Sequence, residues 1–122
     1  MTFLSRSRLL VGTGALALSI AFAGTMEDAQ KLVKAGKFDE AITLLEKSDA
    51  KQPAVTKALV DAHMGKADFF MNDPNSAPRV KYTTALKEYR KVLTYDKSNQ
   101  KAATNIKTIE DIYKSMGRPV PQ

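Results

Sequence analysis

The chain has 122 residues, a length that suits one small domain or a smaller domain preceded by a targeting segment. Its 19 Lys and Arg against 13 Asp and Glu give a net charge of +6, and 43% of its residues are hydrophobic, which is typical of a globular chain. The absence of cysteine excludes disulfides, thiolate metal sites and cysteine nucleophiles, and the single histidine excludes any site that needs two.

The first 23 residues have the pattern of a secretory signal peptide. Arg6 and Arg8 precede an uncharged stretch of 15 residues, Leu9 to Ala23, which ends in a small-x-small triplet. This stretch is shorter than the roughly 20 residues of a stable membrane span. We therefore expect cleavage after Ala23 and export, to the periplasm if the source is a Gram-negative cell. The mature domain would cover 24–122 with a net charge of +4, because the leader carries two arginines and no acidic residue.

Apolar periodicity and turn residues predict five helices and no strand in the mature domain. The predicted helices cover about Met26–Ala35, Phe38–Lys51, Ala54–Met71, Val80–Asp96 and Asn99–Met116. Thr25 is a candidate N-cap, Gly36 and Gly117 are predicted helix ends, and Pro53 is predicted to open the third helix. Residues 72–78 contain two prolines and four small polar residues, which predicts a loop.

Two stretches 44 positions apart share a packing pattern. In each, an aromatic residue is followed three positions later by alanine, then by a large apolar residue, and four positions after the alanine by another. The matched residues are Phe38, Ala41, Ile42 and Leu45 in the first stretch and Tyr82, Ala85, Leu86 and Tyr89 in the second. This pattern resembles the second helix of the tetratricopeptide repeat (TPR), and the alanine would let two helices approach closely.

The resemblance implies an all-α, TPR-like α-solenoid of helix-turn-helix repeats. The first repeat would cover about 25–53, the second, with its loop insert, about 54–98, and a capping helix about 99–117. The first-helix signature is weaker. Its Leu-Gly pair corresponds to Met64-Gly65 or to Ala62-His63 in the second unit, and to Asp28-Ala29 in the first. Since about three repeats are normally needed for stability, either the last helix closes the stack or the protein self-associates.

In the TPR family the first helices of successive repeats line a concave groove that binds a partner segment. Carried over to this sequence, the groove would hold Gln30, Val33 and Lys34 in the first unit, Lys66, Phe69 and Phe70 in the second, and Lys101, Thr104, Asn105 and Thr108 in the last helix. Such a groove would be basic with an apolar floor and would suit an acidic partner segment. The alternative is that the phenylalanines belong to the core and the lysines are solvated.

The insert after the third helix offers a candidate second contact surface through Arg79 and Lys81. The alternative is a tolerated loop insertion, since surface loops accept added residues readily.

The sequence contains little that indicates a catalytic site or a metal site. His63 is expected to be a helix-face residue with no necessary acid partner, and H-E-x-x-H, G-x-S-x-G and P-loop motifs are absent. The loop around Asp73 lacks the spacing and the closing glutamate of an EF-hand. We therefore predict a chain that is not an enzyme and needs no cofactor or metal.

Basic residues alternate with acidic ones along the helices, which indicates a solvated surface rather than a nucleic-acid-binding stripe. We predict an exported adaptor or scaffold that binds a protein or peptide partner, with no nucleic acid and no stable membrane span after cleavage. The alternative is a self-associating structural or envelope-assembly protein whose short array is completed by oligomerisation. A third hypothesis is an envelope-surface binder that acts through its charge.

Overall fold

The computed structural model describes residues 9–122, with side-chain environments from residue 18 onward, so Arg6 and Arg8 of the predicted leader lie outside it. Its five helices are Leu9–Lys34 (α1), Phe38–Glu46 (α2), Pro53–Asn72 (α3), Pro78–Tyr95 (α4) and Gln100–Ser115 (α5). Each helix packs on the next in chain order, and α1 also contacts α3. The described residues contain no strand, so the predicted all-α class with five helices is confirmed.

Glycine ends α1 and α5 at the two predicted positions. Gly36 and Gly117 have φ values of 75° and 64°, a left-handed conformation that residues with a Cβ rarely adopt. After α1, the Lys37 amide donates to the Leu32 carbonyl at 2.9 Å; after α5, the Arg118 amide donates to the Tyr113 carbonyl at 3.0 Å. These are the long bonds of Schellman motifs, which satisfy carbonyls left free at a helix end.

Two helix boundaries differ from the prediction for local reasons. α2 ends at Glu46 rather than near Lys51, and the Asp49 side chain there accepts the Lys51 amide at 3.0 Å. Such a side-chain bond gives the backbone an alternative to the helix. α4 begins at Pro78, which the prediction placed in the loop. Proline is favoured at the first helical position because its missing N–H has no intrahelical partner there, and Pro53 opens α3 as predicted.

The predicted N-cap at Thr25 is wrong, because α1 runs through this position without a break. The Thr25 hydroxyl donates to the Ala21 carbonyl one turn earlier, at 3.0 Å, so it is satisfied inside the helix rather than at its end. α1 spans 26 residues. Within the part of the chain that is described, none of the helices combines the length and the apolar character needed to cross a membrane.

The buried residues form two clusters that share α3. The N-terminal cluster consists of Ala29, Ala41, Ile42, Leu45, Val55, Leu59 and Ala62. The C-terminal cluster consists of Ala67, Ala85, Leu86, Tyr89, Val92, Ala102, Ile109 and Tyr113. The residues matched between α2 and α4 have matching burial, since each alanine and both large apolar residues of each set are buried. The two helices therefore contribute equivalent faces to successive parts of the core.

Candidate partner-binding groove

A groove of about 470 Å³ lies between α1 and α3. The predicted residues Gln30, Val33 and Lys34 line its α1 side. The other lining residues, which the sequence prediction did not single out, are Met26, Glu27, Ala29, Leu45, Ala54, Lys57, Ala58 and Asp61. Small and branched apolar side chains dominate the floor, as in most ligand-binding clefts.

The rim of this groove carries charges of both signs, whereas the sequence predicts a basic groove with an apolar floor. Lys57 pairs with Asp61 one helical turn away at 3.1 Å, and Glu27 pairs with Lys31 at 3.3 Å. Lys34 is exposed and forms no ion pair with any carboxylate of the described residues. Lys34 is therefore the rim cation that is most available to a partner's carboxylate.

None of the three predicted groove residues of α3, Lys66, Phe69 and Phe70, lines this groove. The Lys66 ammonium lies 2.7 Å from a carboxylate oxygen of Asp39 on α2 and 3.2 Å from one of Glu88 on α4. Burial acts to lower the pKa of Lys66, but the hydrogen bond to Asp39 and the charge of Glu88 outweigh it and hold that pKa above its usual value. Lys66 thus bridges α2, α3 and α4 and is not a free binding cation.

The two phenylalanines near the end of α3 have different environments. Phe69 is 57% exposed, and its ring centroid lies 6.3 Å from that of Phe38 on α2. Phe70 packs against the C-terminal cluster and meets the Phe69 ring edge-on at 5.5 Å. The alternative of a core role therefore holds for Phe70, whereas Phe69 contributes to an aromatic patch beside α2.

Two of the predicted residues of α5, Lys101 and Asn105, contact side chains of other helices. The ammonium of Lys101 pairs with a carboxylate oxygen of Asp68, whose other oxygen accepts the Tyr89 hydroxyl at 2.6 Å. Burial, followed by the hydrogen bond to Asp68, raises the pKa of Tyr89, while a hydrogen bond with Asn105 acts in the opposite direction. These contacts tie α5 to α3 and α4.

Thr104 and Thr108 are exposed, and the Thr108 hydroxyl donates to the Thr104 carbonyl at 3.0 Å. Neither residue lines the groove between α1 and α3.

Arg79 and Lys81, the predicted second contact surface, lie in the first turn of α4. Arg79 lines a second cavity between α4, α5 and the C-terminal segment. The ammonium of Lys81 lies 5.1 Å from the centre of the Tyr82 ring, within the range of a cation–π interaction.

The sequence prediction missed the acid partner of His63. The Nδ1 atom of His63 lies 2.6 Å from Oε2 of Glu88, and both side chains are 7% exposed. The His63 ring also stacks on Tyr95 with centroids 5.9 Å apart. Because His63 and Glu88 stand 25 positions apart on different helices, sequence spacing gave no signal of their contact.

No match to the chain is found among protein-family models, curated proteins or solved structures. Within residues 9–122, no group of three or more His, Cys, Asp or Glu side chains is arranged to hold a metal ion.

Proposed function

We propose that this chain is an exported helical-repeat module of the TPR type, which binds a segment of a partner protein in the groove between α1 and α3. The observation that carries the proposal is the position of this groove, between the first helices of two successive helical hairpins. The family that the sequence resembles binds partners on that same side of the repeat.

The position of buried residues in α1 and α3 supports the repeat assignment. Ala29 and His63 are 34 positions apart, which equals the family's repeat length of about 34 residues, and both are buried. Their burial favours Ala62-His63 over Met64-Gly65 as the counterpart of the family's Leu-Gly pair. In this register Lys66 takes the position of the aromatic residue that packs between helices, which agrees with its contacts to α2 and α4.

The side chains that line the groove indicate which residues a partner segment would carry. Its floor, which includes Val33, Leu45 and Ala58, would accept one or two apolar side chains. The exposed Lys34 would pair with a carboxylate of the partner. We therefore propose that the partner segment is amphipathic and carries an acidic residue beside an apolar one.

Export is part of the proposal because of the surface that α1 presents before position 24. Leu18 and Ile20, two large apolar side chains of this segment, are 74% and 65% exposed. Cleavage after Ala23 would remove both. It would also remove Phe22, which is half-buried against the N-terminal cluster, so the mature domain would lose one apolar contact. Intact-mass analysis of the protein isolated from its host tests this, since it should begin at Gly24.

The proposed role is binding rather than catalysis. His63 is the single histidine of the chain, and its ring is buried against Glu88 and Tyr95, where a substrate could not reach it. Its position supports a role in helix packing.

Site-specific photo-crosslinking in the source cell tests the groove directly. A photoreactive residue replaces Gln30 in the groove or, as a matched control, the exposed Lys87 on α4. We expect a discrete adduct from position 30 that weakens when Lys34→Glu is added, and no adduct from position 87. Equal adducts from both positions, or none from position 30, would overturn the groove proposal. An adduct with the mass of two copies of the chain would favour self-association instead.

A further inference from the structure

A second cavity, of about 390 Å³, lies between the start of α4, the end of α5 and the C-terminal segment. Its nine lining residues are Pro78, Arg79, Tyr82, Thr83, Tyr113, Met116, Arg118, Pro119 and Pro121. Two tyrosines, a methionine and three prolines make most of this lining apolar, while the methionine gives one wall that can adapt to a ligand. The cavity shares no lining residue with the groove between α1 and α3.

The C-terminal wall of this cavity is held in place by its backbone conformation and by two contacts with the rest of the domain. The left-handed Gly117 reverses the chain after α5. The Arg90 guanidinium then donates to the Pro121 carbonyl at 2.7 Å, and Val120 packs against the C-terminal cluster. Prolines at 119 and 121 restrict the backbone further. The cavity is therefore largely formed before any ligand binds, which lowers the entropic cost of binding.

The charge of the cavity is entirely positive. Arg79 and Arg118 are among its lining residues, and the lining contains no carboxylate. Neither guanidinium forms an ion pair with any carboxylate in the described part of the chain. Thr83 Oγ1 and the Tyr113 hydroxyl form a hydrogen bond with each other at 3.2 Å, which leaves one of the two hydroxyl hydrogens free to donate to a ligand.

We propose that this cavity binds a small monocarboxylate with a compact aromatic or branched apolar body. The volume lies near the lower end of the range for small-molecule sites, about 300–1,000 Å³, which selects a compact ligand. The apolar body would contact Tyr82, Met116 and the prolines. The carboxylate would bind the guanidinium groups of Arg79 and Arg118, whose planar donors match it in two-bond geometry.

This proposal is independent of the protein-binding role of the α1–α3 groove. It assigns a function to Arg79, which the sequence singled out as part of a possible second contact surface and which the groove does not use. The start of α4 would then be a ligand-binding element rather than the edge of a tolerated insertion.

Nuclear magnetic resonance titration with 3-phenylpropionate tests the proposal on the protein as purified from its host. We expect saturable shifts of the backbone amides of Thr83, Tyr113, Met116 and Arg118. The neutral amide of the same shape, 3-phenylpropanamide, should bind about tenfold more weakly, because it cannot form charge-assisted bonds. Arg79→Gln and Arg118→Gln should each weaken binding of the acid by about the same factor.

Lys114→Gln is the matched control, since it removes one positive charge from the exposed surface of α5 without touching the cavity. It should leave the affinity within about twofold, because exposed charges at a distance are screened by salt. The proposal is overturned if the acid and the amide bind equally, if Lys114→Gln weakens binding as much as the arginine variants do, or if no shift saturates. The amide spectrum of each variant shows whether it is folded, so a loss of binding can be separated from a loss of structure.

Discussion

The Nδ1 atom of His63 on α3 lies 2.6 Å from Oε2 of Glu88 on α4, and both side chains are almost completely buried. The other oxygen of Glu88 lies 3.2 Å from the ammonium of Lys66, which reaches on to Asp39 of α2 at 2.7 Å. Along α3, His63 and Lys66 fall between Ala62 of the N-terminal cluster and Ala67 of the C-terminal cluster. A chain of charged and polar groups therefore joins the two hairpins where the apolar clusters meet.

Glu88→Gln should lower the free energy of unfolding by about 2 kcal/mol, because a buried carboxylate that is bonded to His63 and Lys66 loses its charge. Urea denaturation followed by circular dichroism measures the change. Glu46→Gln is the control, since Glu46 is exposed at the end of α2 and should change stability by less than about 0.5 kcal/mol. Equal effects of the two substitutions would show that the contacts of Glu88 with His63 and Lys66 contribute little to the free energy of unfolding.

Acid should weaken the fold through Glu88. Burial acts to raise its pKa, but the hydrogen bond from His63 and the charge of Lys66 outweigh burial and hold the pKa below its usual value of 4.5. Since the pKa is lower in the folded chain, the stabilisation is complete above about pH 4.5 and is lost as the pH falls through the folded-state value.

Unfolding measured between pH 7 and pH 3 tests this on the parent chain and on Glu88→Gln. The difference between the two should shrink as the pH falls below about 4.5, because protonated Glu88 no longer carries the charge that the substitution removes. The variant should keep part of the acid sensitivity, because hydrogen bonds from Ser76 and Lys107 hold the pKa values of Asp73 and Asp111 low as well. A difference that stays constant down to pH 3 would contradict the assignment to Glu88.

The effect of Gly65→Ala on stability should change sign when the side chain of Phe38 is removed. A Cβ at position 65 would lie 2.6 Å from Cε1 of Phe38, closer than any normal contact, so the Phe38 ring must move. We expect a loss of about 1 kcal/mol from this overpacking in the parent chain. In a Phe38→Ala background the same change should gain up to about 1 kcal/mol, because alanine favours the helix over glycine. A loss of equal size in both backgrounds would show that the close approach is not the cause.

The positions of the helices could be predicted from sequence because their signals are local. Gly36, Pro53 and Gly117 mark helix ends through backbone geometry that needs no tertiary contact. The end of α2 was missed because the Asp49 side chain forms a local bond that competes with the helix, which apolar periodicity does not record.

The face to which each α3 residue points was harder to predict. Two registers, two residues apart, fit the sequence, and a shift of two positions rotates a helix by about 200°. One of these registers places Lys66 and Phe69 in the groove, although Lys66 contacts Asp39 and Glu88, and Phe69 contacts Phe38. Contacts between distant residues, such as His63 with Glu88, orient α3, and sequence spacing does not record them.

The polar outer surface of α5 predicts that the chain is a monomer. Ala102, Ile109 and Tyr113 face the C-terminal cluster. Within the described chain, the exposed residues of α5 that form no contact with another helix are largely polar and include Thr104, Lys107, Thr108 and Asp111. Lys107 and Asp111 pair with each other at 2.8 Å, so their charges are satisfied within the helix. A helix with this division of faces can end a stack of repeats without a further copy.

Light scattering and circular dichroism over about a hundredfold range of concentration measure this directly. We expect the mass of one chain and an unchanged helical signal throughout, because α5 covers the C-terminal cluster. A dimer that loses helical signal on dilution would mean instead that self-association completes the core. In that case Lys107→Ala would not show where the two copies meet, because it breaks only the pair with Asp111 within α5. A scan of the remaining exposed apolar residues, beginning with Phe69→Ser and Val80→Ser, would then locate it.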